Sequence, residues 1–176
     1  MKPRGPSGLT LVEIVVALAL GSIVLTLLGS VFVASLSAQR RGVDLRDAQA
    51  HARGLVDLIA RDVRGASQTL GVRVAPRFAL DEGEPLVAFL SETPPLSRNG
   101  PAWIAYVFVP DRGEVRQQVV APDSQGGVTV QDSRVVATGV IRIVVEQVAD
   151  GVAIEAEVRR GRETAAARAV ATPRNP

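Results

Sequence analysis

The feature that most constrains this chain is a long apolar segment near its N-terminus. Within residues 9–38, the only charged side chain is that of Glu13. The uncharged run 14–38 alone is about 25 residues, and a helix that rises about 1.5 Å per residue needs only about 20 residues to cross the hydrocarbon layer of a membrane. The sequence therefore predicts a membrane-spanning helix.

The residues on either side of this segment leave its orientation open. Lys2 and Arg4 precede the segment, and Arg40 and Arg41 follow it, so the positive-inside rule hardly decides which end lies in the cytoplasm. The run is longer than the roughly 7–15 residues of an ordinary signal-peptide core, which argues against removal of the whole segment. Cleavage at the small residues Ser35-Leu36-Ser37 is the alternative.

Glu13 is the residue of this segment that needs an explanation. A carboxylate inside a membrane is costly, so it is by default a functional group with a partner. The cost is lower near the membrane surface, and the dipole of a helix favours a negative charge at its N-terminus. Glu13 therefore lies either at the interface or in an ion pair within the membrane.

The residues before and after Glu13 match a known processing signal in type and order. The basic leader, Gly8, the sequence Leu9-Thr10-Leu11-Val12-Glu13 and the aliphatic helix resemble the class III signal of type IV prepilins and type II secretion pseudopilins. The resemblance implies that a prepilin peptidase cuts between Gly8 and Leu9 and that Leu9, which stands where the family usually has Phe, is N-methylated. It also implies that Glu13 neutralises the N-terminal amine of a neighbouring subunit. Pairing within one chain is also open, since Leu9 and Glu13 are one helical turn apart.

The same resemblance predicts the role, the partners and the location of the chain. It implies a non-enzymatic minor pilin-like or pseudopilin subunit of a type IV pilus or a type II secretion pseudopilus, for secretion, motility, adhesion or DNA uptake. Its partners would be other pilins or pseudopilins, the prepilin peptidase and methylase, the inner-membrane assembly platform and membrane lipid, without direct nucleic-acid binding. It would cross the inner (cytoplasmic) membrane once, with its head outside the cytoplasm, before joining the filament.

Small side chains recur at every fourth position of the apolar segment and define one face of the predicted helix. They are Ser22, Thr26, Ser30, Ala34 and Ala38. Small side chains let helices approach closely in a membrane, so this face is a predicted packing surface. We expect the helix to be weakest at Gly29-Ser30.

Residues 39–70 predict an amphipathic continuation of the helix. Apolar side chains recur three or four positions apart, at Leu45, Ala48, Ala52, Leu55, Ile59 and Val63. Charged side chains lie opposite, at Asp44, Asp47, Arg53, Asp57, Arg61 and Asp62. Gly65 or Gly71 would end the helix. Residues 58–66, LIARDVRGA, resemble the helix end of J-type minor pseudopilins and W-type minor pilins, although an ordinary amphipathic helix end explains them equally well.

Residues 71–176 predict a β-rich head. Runs rich in β-branched residues predict strands at 72–75, 86–90, 103–109, 115–120, 128–130, 135–148, 152–158 and 164–170, the last of which is alanine-rich and leaves a helix open. Asp150-Gly151 is a strong hairpin-turn signal. Trp103 and Tyr106 are expected to pack in the core. The predicted fold class is α+β, with the long N-terminal helix packed on an antiparallel β-sheet head, which is the pilin-like architecture.

The residue inventory argues against catalysis and metal binding. The chain has no cysteine, so disulfides and thiolate sites are excluded, and it has one histidine, His51, among charged residues of the predicted helix. Asp123 and Asp132 are candidate calcium ligands, but they lack the dense ligand spacing of an EF-hand loop. A net charge of +2 gives no basic surface for nucleic acid. We expect no cofactor, no metal and no enzymatic activity.

Two other classes of protein also fit the sequence. One is a single-pass membrane anchor that keeps its leader and carries a β-rich binding or sensing domain. The other is a secreted β-rich binding protein released near Ser37. The preferred division is a leader peptide (1–8), a transmembrane and assembly helix (9–38), its amphipathic continuation (39–70) and the head (71–176).

Overall fold

The computed structural model describes residues 10–66, 72–74, 76, 83–91, 101–122 and 128–173. It divides into two compact units, Met1–Gly42 and Val43–Pro176. A single helix, α1 (Leu11–Arg64), contains no proline that would interrupt it. The chain leaves the helix at Gly65, whose N–H lies 3.1 Å from the carbonyl oxygens of both Arg61 and Asp62. The helix therefore ends at the first of the two predicted stop positions.

Eight strands follow α1 among the residues that the structure describes. They are β1 (Val72–Val74), β2 (Glu84–Ser91), β3 (Ala102–Val109), β4 (Glu114–Pro122), β5 (Val128–Thr138), β6 (Val140–Val148), β7 (Gly151–Arg160) and β8 (Glu163–Ala171). Sheet A has the order β1-β2-β3-β4-β5, and sheet B has the order β6-β7-β8. Neighbouring strands are antiparallel throughout. The predicted α+β class, with a long N-terminal helix and antiparallel sheets, is confirmed.

The chain passes from sheet A to sheet B at a single residue, Gly139. Its φ of 72° lies in the left-handed region that favours glycine. Its carbonyl oxygen accepts a hydrogen bond of 2.8 Å from the backbone N–H of Arg159. The sequence predicted a continuous strand over 135–148, and this prediction is wrong, because a positive φ at Gly139 breaks the extended backbone and ends β5 there.

The last three strands form a meander. Val148 pairs with Gly151, so the two-residue loop is Ala149-Asp150, one residue earlier than the hairpin signal suggested. The backbone of 163–171 is extended, and the buried Ala165 and Ala171 lie on one face of β8. The helical alternative for residues 164–170 is therefore wrong.

One face of α1 and both sheets share a hydrophobic core. The predicted apolar positions of α1 are buried from the second one onwards, namely Ala48, Ala52, Leu55, Ile59 and Val63. Leu45 is 38% exposed, so the buried face begins one turn later than predicted. The helix packs in one cluster with Phe89 and Ile104 of sheet A and with Val152 and Ile154 of sheet B. The core thus consists mainly of aliphatic side chains.

A polar cluster connects the last turns of α1 to sheet A. The Tyr106 hydroxyl donates to Asp62 Oδ2 at 2.6 Å, and Gln117 Nε2 donates to the same oxygen at 2.7 Å. Gln117 Nε2 is also 2.8 Å from the Tyr106 oxygen, and Arg134 Nε donates to Gln117 Oε1 at 2.8 Å. Tyr106 and Gln117 are fully buried, so without these bonds their polar atoms would have no hydrogen-bond partner. We call these four residues the Asp62 cluster.

Replacing Gly139 by alanine is expected to destabilise the protein by about 2 kcal/mol. Alanine would have to adopt the same positive φ, and its Cβ would lie 2.8 Å from the backbone carbonyl oxygen of Arg159. Denaturant titration of the detergent-solubilised full chain, followed by circular dichroism, measures the free energy of unfolding. Gly54→Ala is the matched control, because a Cβ at that helical position meets nothing within 4 Å. Equal stability of the two variants would contradict this role of Gly139.

Candidate functional site

The first part of α1 exposes its apolar side chains. Its large apolar side chains, from Leu11 to Leu36, are each 40% to 79% exposed. The helix is long and apolar enough to cross a membrane, and none of its most apolar stretch is buried inside the protein. Since exposed apolar surface of this extent is rare on a soluble monomer, the segment is suited to lipid or to other helices.

Glu13 lies in the first turn of α1, where it forms a capping box with Thr10. Glu13 Oε2 accepts hydrogen bonds from the Thr10 backbone N–H at 2.8 Å and from the Thr10 hydroxyl at 3.0 Å. In return, the Glu13 N–H donates to Thr10 Oγ1 at 3.3 Å. The reciprocal bonds satisfy backbone donors that have no partner within the helix. Sequence reasoning missed Thr10, although Thr-x-x-Glu at the start of an apolar run is the signal that identifies such a cap.

The capping box supplies Glu13 with a local environment for its charge. Two donors from Thr10 and the positive end of the helix dipole stabilise the carboxylate. Both bonds from Thr10 go to Oε2, so they leave Oε1 to other groups. The site can therefore hold a negative charge at the start of an apolar helix and offer one oxygen to an external cation.

The other residues of the predicted processing site lie outside the described residues. These are Gly8 and Leu9, with the predicted cleavage between them and the predicted methylation of Leu9. Cleavage there would place a new amine one residue before Thr10 in the sequence. The pairing of this amine stays a prediction.

The small-residue face of α1 is exposed, and its hydroxyl groups form hydrogen bonds within the helix. The hydroxyl groups of Ser22, Thr26 and Ser30 donate to the carbonyl oxygens of Ala19, Ser22 and Leu27 at 2.7, 2.8 and 2.7 Å. Hydroxyls bonded to their own helix can enter an apolar environment at low cost. The helix is unbroken through Gly29-Ser30, where we expected it to be weakest.

The described residues contain no group of three or more His, Asp or Glu side chains that could hold a metal ion. Of the two candidate calcium ligands, Asp123 lies outside the described residues. Asp132 Oδ1 accepts the backbone N–H of Ser133 at 2.7 Å. His51 is exposed on α1. The distinctive chemistry of the described part of the chain is therefore the carboxylate at the start of the apolar helix.

Comparison with known proteins adds one finding to this geometry. The family model of the prokaryotic N-terminal methylation motif matches residues 4–29. No curated protein and no solved structure matches the chain. The match spans Gly8, Leu9, the Thr10–Glu13 capping box and the first turns of the exposed helix. The chain therefore carries, at residues 4–29, the prokaryotic N-terminal methylation motif of type IV pilin-like proteins.

Proposed function

We propose that this protein is a minor pilin-like or pseudopilin subunit of a type IV pilus or a type II secretion pseudopilus. The observation that carries the proposal is the methylation motif at residues 4–29, placed directly on an exposed apolar helix. A prepilin peptidase removes residues 1–8 and methylates Leu9. The subunit then crosses the inner membrane once, with its head outside the cytoplasm, until it joins the filament.

In this proposal, Glu13 pairs with the methylated amine of Leu9 on an adjacent subunit. The amine and the carboxylate each need a partner when the helices leave the headgroup region and pack together. The capping box stabilises Glu13 while the subunit is alone in the membrane, and Oε1 is the oxygen that it leaves for the neighbour's amine. The small-residue face at Ser22, Thr26, Ser30 and Ala34 would let neighbouring helices approach closely.

The type of subunit is the finer part of the proposal. The helix end LIARDVRGA supports a J-type minor pseudopilin or a W-type minor pilin. Its partners would be other pilins or pseudopilins, the peptidase and methylase, the assembly platform and membrane lipid. The protein would have no catalytic role, since energy for filament extension would come from a separate ATPase.

The N-terminus of the purified protein tests this function. In cells that contain a prepilin peptidase, we expect Edman sequencing and intact mass to give a chain that begins at methylated Leu9. Gly8→Asp is the matched variant, because a charged side chain beside the scissile bond should prevent entry into the peptidase and leave the chain beginning at Met1. A wild-type chain that keeps Met1 would instead indicate an unprocessed anchor. A start near Ala38 would indicate a secreted protein.

A further inference from the structure

The β5 strand is a long edge strand of sheet A. Among the strands that the structure describes, β5 is hydrogen-bonded only to β4, so its other side carries backbone donors and acceptors without a strand partner. Its central residues, from Gln131 to Val135, are all exposed. An edge of this kind can accept a further strand unless it is protected.

A side chain occupies the centre of this edge. The Ser133 backbone N–H donates to Asp132 Oδ1 at 2.7 Å. The N–H groups of an edge strand point alternately to the neighbouring strand and to the open side, and we infer from its bond to Asp132 that the Ser133 N–H is one on the open side. Asp132 therefore occupies the Ser133 N–H, which can bond an incoming strand only when another group binds the Asp132 carboxylate.

The charged residues on either side of Ser133 are complementary between two antiparallel copies of β5. Asp132 and Arg134 pair with Val119 and Gln117 of β4, so both lie on the same face of sheet A. If a second β5 runs antiparallel to the first, with Ser133 opposite Ser133, each Asp132 lies opposite the Arg134 of the other copy. Opposite charges at directly facing positions stabilise a strand pair.

We propose that a second copy of this chain pairs along the open edge of β5, in an antiparallel register centred on Ser133. The Arg134 of each copy forms an ion pair with the Asp132 carboxylate of the other. The two Ser133 N–H groups can then donate to the facing carbonyl oxygens. Arg134 donates Nε to Gln117 Oε1, so the bond to the other copy would use its terminal guanidinium nitrogens. If the incoming strand has no cation at this position, the Ser133 N–H stays bonded to Asp132 and cannot pair with that strand.

Two irregularities limit the pairing to the middle of β5. The register between β4 and β5 shifts between Val115 and Arg116 and again between Val119 and Val120. Bulges of this kind turn the ends of an edge strand away from incoming strands. Residues 132–135 form the regular stretch between them, and the Ser133-centred register keeps Asp132, Ser133 and Arg134 of both copies inside it.

Cysteine cross-linking of the full-length protein in its membrane tests the register, because the chain has no cysteine of its own. In the proposed pair, the two Ser133 Cα atoms are about 5.5 Å apart, within the range that a disulfide spans. Ser133→Cys should therefore give a disulfide-linked dimer on mild oxidation. Thr129→Cys is the matched control on the same strand, since two copies of that residue would be roughly 27 Å apart in this register.

Charge reversal in the Ser133→Cys background tests the pairing chemistry. Asp132→Arg alone and Arg134→Asp alone each place like charges opposite one another, which should reduce the cross-linked dimer about tenfold. A mixture of the two variants restores opposite charges at both positions, so the cross-linked heterodimer should return. Cross-linking of Ser133→Cys no greater than that of Thr129→Cys would overturn the proposal, as would failure of the mixture to recover or capture of a different protein.

Discussion

Replacing Glu13 by valine is expected to leave the protein in the membrane and to abolish its incorporation into filaments. Valine makes the first turns of α1 more apolar, so insertion of the exposed helix is retained. Without the carboxylate, the methylated amine of a neighbouring Leu9 would be brought among packed helices without a counter-charge, and such an unpaired charge is strongly unfavourable. The measurement is the amount of the variant in sheared filaments, relative to its amount in membranes.

Two matched variants separate the charge of Glu13 from its role as a helix cap. Glu13→Gln keeps a side-chain oxygen that can cap Thr10 but removes the charge, so it should fail to assemble as Glu13→Val does. Thr10→Val removes both hydroxyl contacts of the capping box but keeps the carboxylate, so its loss of incorporation should be smaller. Normal incorporation of Glu13→Gln would show that capping, and not ion pairing, is what Glu13 contributes.

The stability of the head is expected to fall steeply as the pH rises above about 10. Burial of Tyr106 raises the pKa of its phenol, and the hydrogen bond to the Asp62 carboxylate raises it further. Above the ordinary pKa of 10.0, an unfolded chain releases this proton while the folded chain keeps it. Unfolding is then favoured by roughly 1 to 1.5 kcal/mol for each pH unit. Denaturant titrations between about pH 9 and pH 12 measure the slope.

The composition of the chain makes this prediction unusually specific. Tyr106 is the only tyrosine, Lys2 is the only lysine, and the chain has no cysteine. Tyr106→Phe should therefore abolish most of the slope. At neutral pH, the same variant should be about 1–2 kcal/mol less stable, because it removes a donor to Asp62. If wild type and Tyr106→Phe lose stability equally with pH, Tyr106 does not carry the effect.

Periodicity and composition were sufficient to predict the helix and most of the strands. The apolar spacing from Ala48 to Val63 identified the buried face of α1, because packing against sheets requires a stripe at helical spacing. Tyr106 was expected in the core and is there. The break at Gly139 was not predicted, because the valines on both sides of it favour an extended chain, and only the positive φ of that glycine in the folded protein ends the strand.

The polar contacts were less predictable than the elements that carry them. Asp62 was assigned to the solvent-facing side of α1, yet it bonds Tyr106 and Gln117, which are 44 and 55 residues away in the chain. Contacts over such distances depend on which strands lie under the helix, and no local pattern encodes this. Glu13 was predicted to be a functional residue because it is the single charge in an apolar run. The edge position of β5 depends on the strand order of sheet A, which the sequence did not provide.

The Asp62 cluster also determines how the joint between α1 and sheet A responds to mechanical load. A pull along the second part of α1 is resisted by apolar contacts, such as that of Ile59, and by the short bonds to Asp62 Oδ2. Apolar contacts have no preferred direction, whereas a hydrogen bond also depends on the angle at its hydrogen and weakens steeply when that angle falls below about 120°. A slip by one residue, about 1.5 Å, would detach Asp62 from both Tyr106 and Gln117. The joint is therefore stiff up to a small displacement and yields abruptly beyond it.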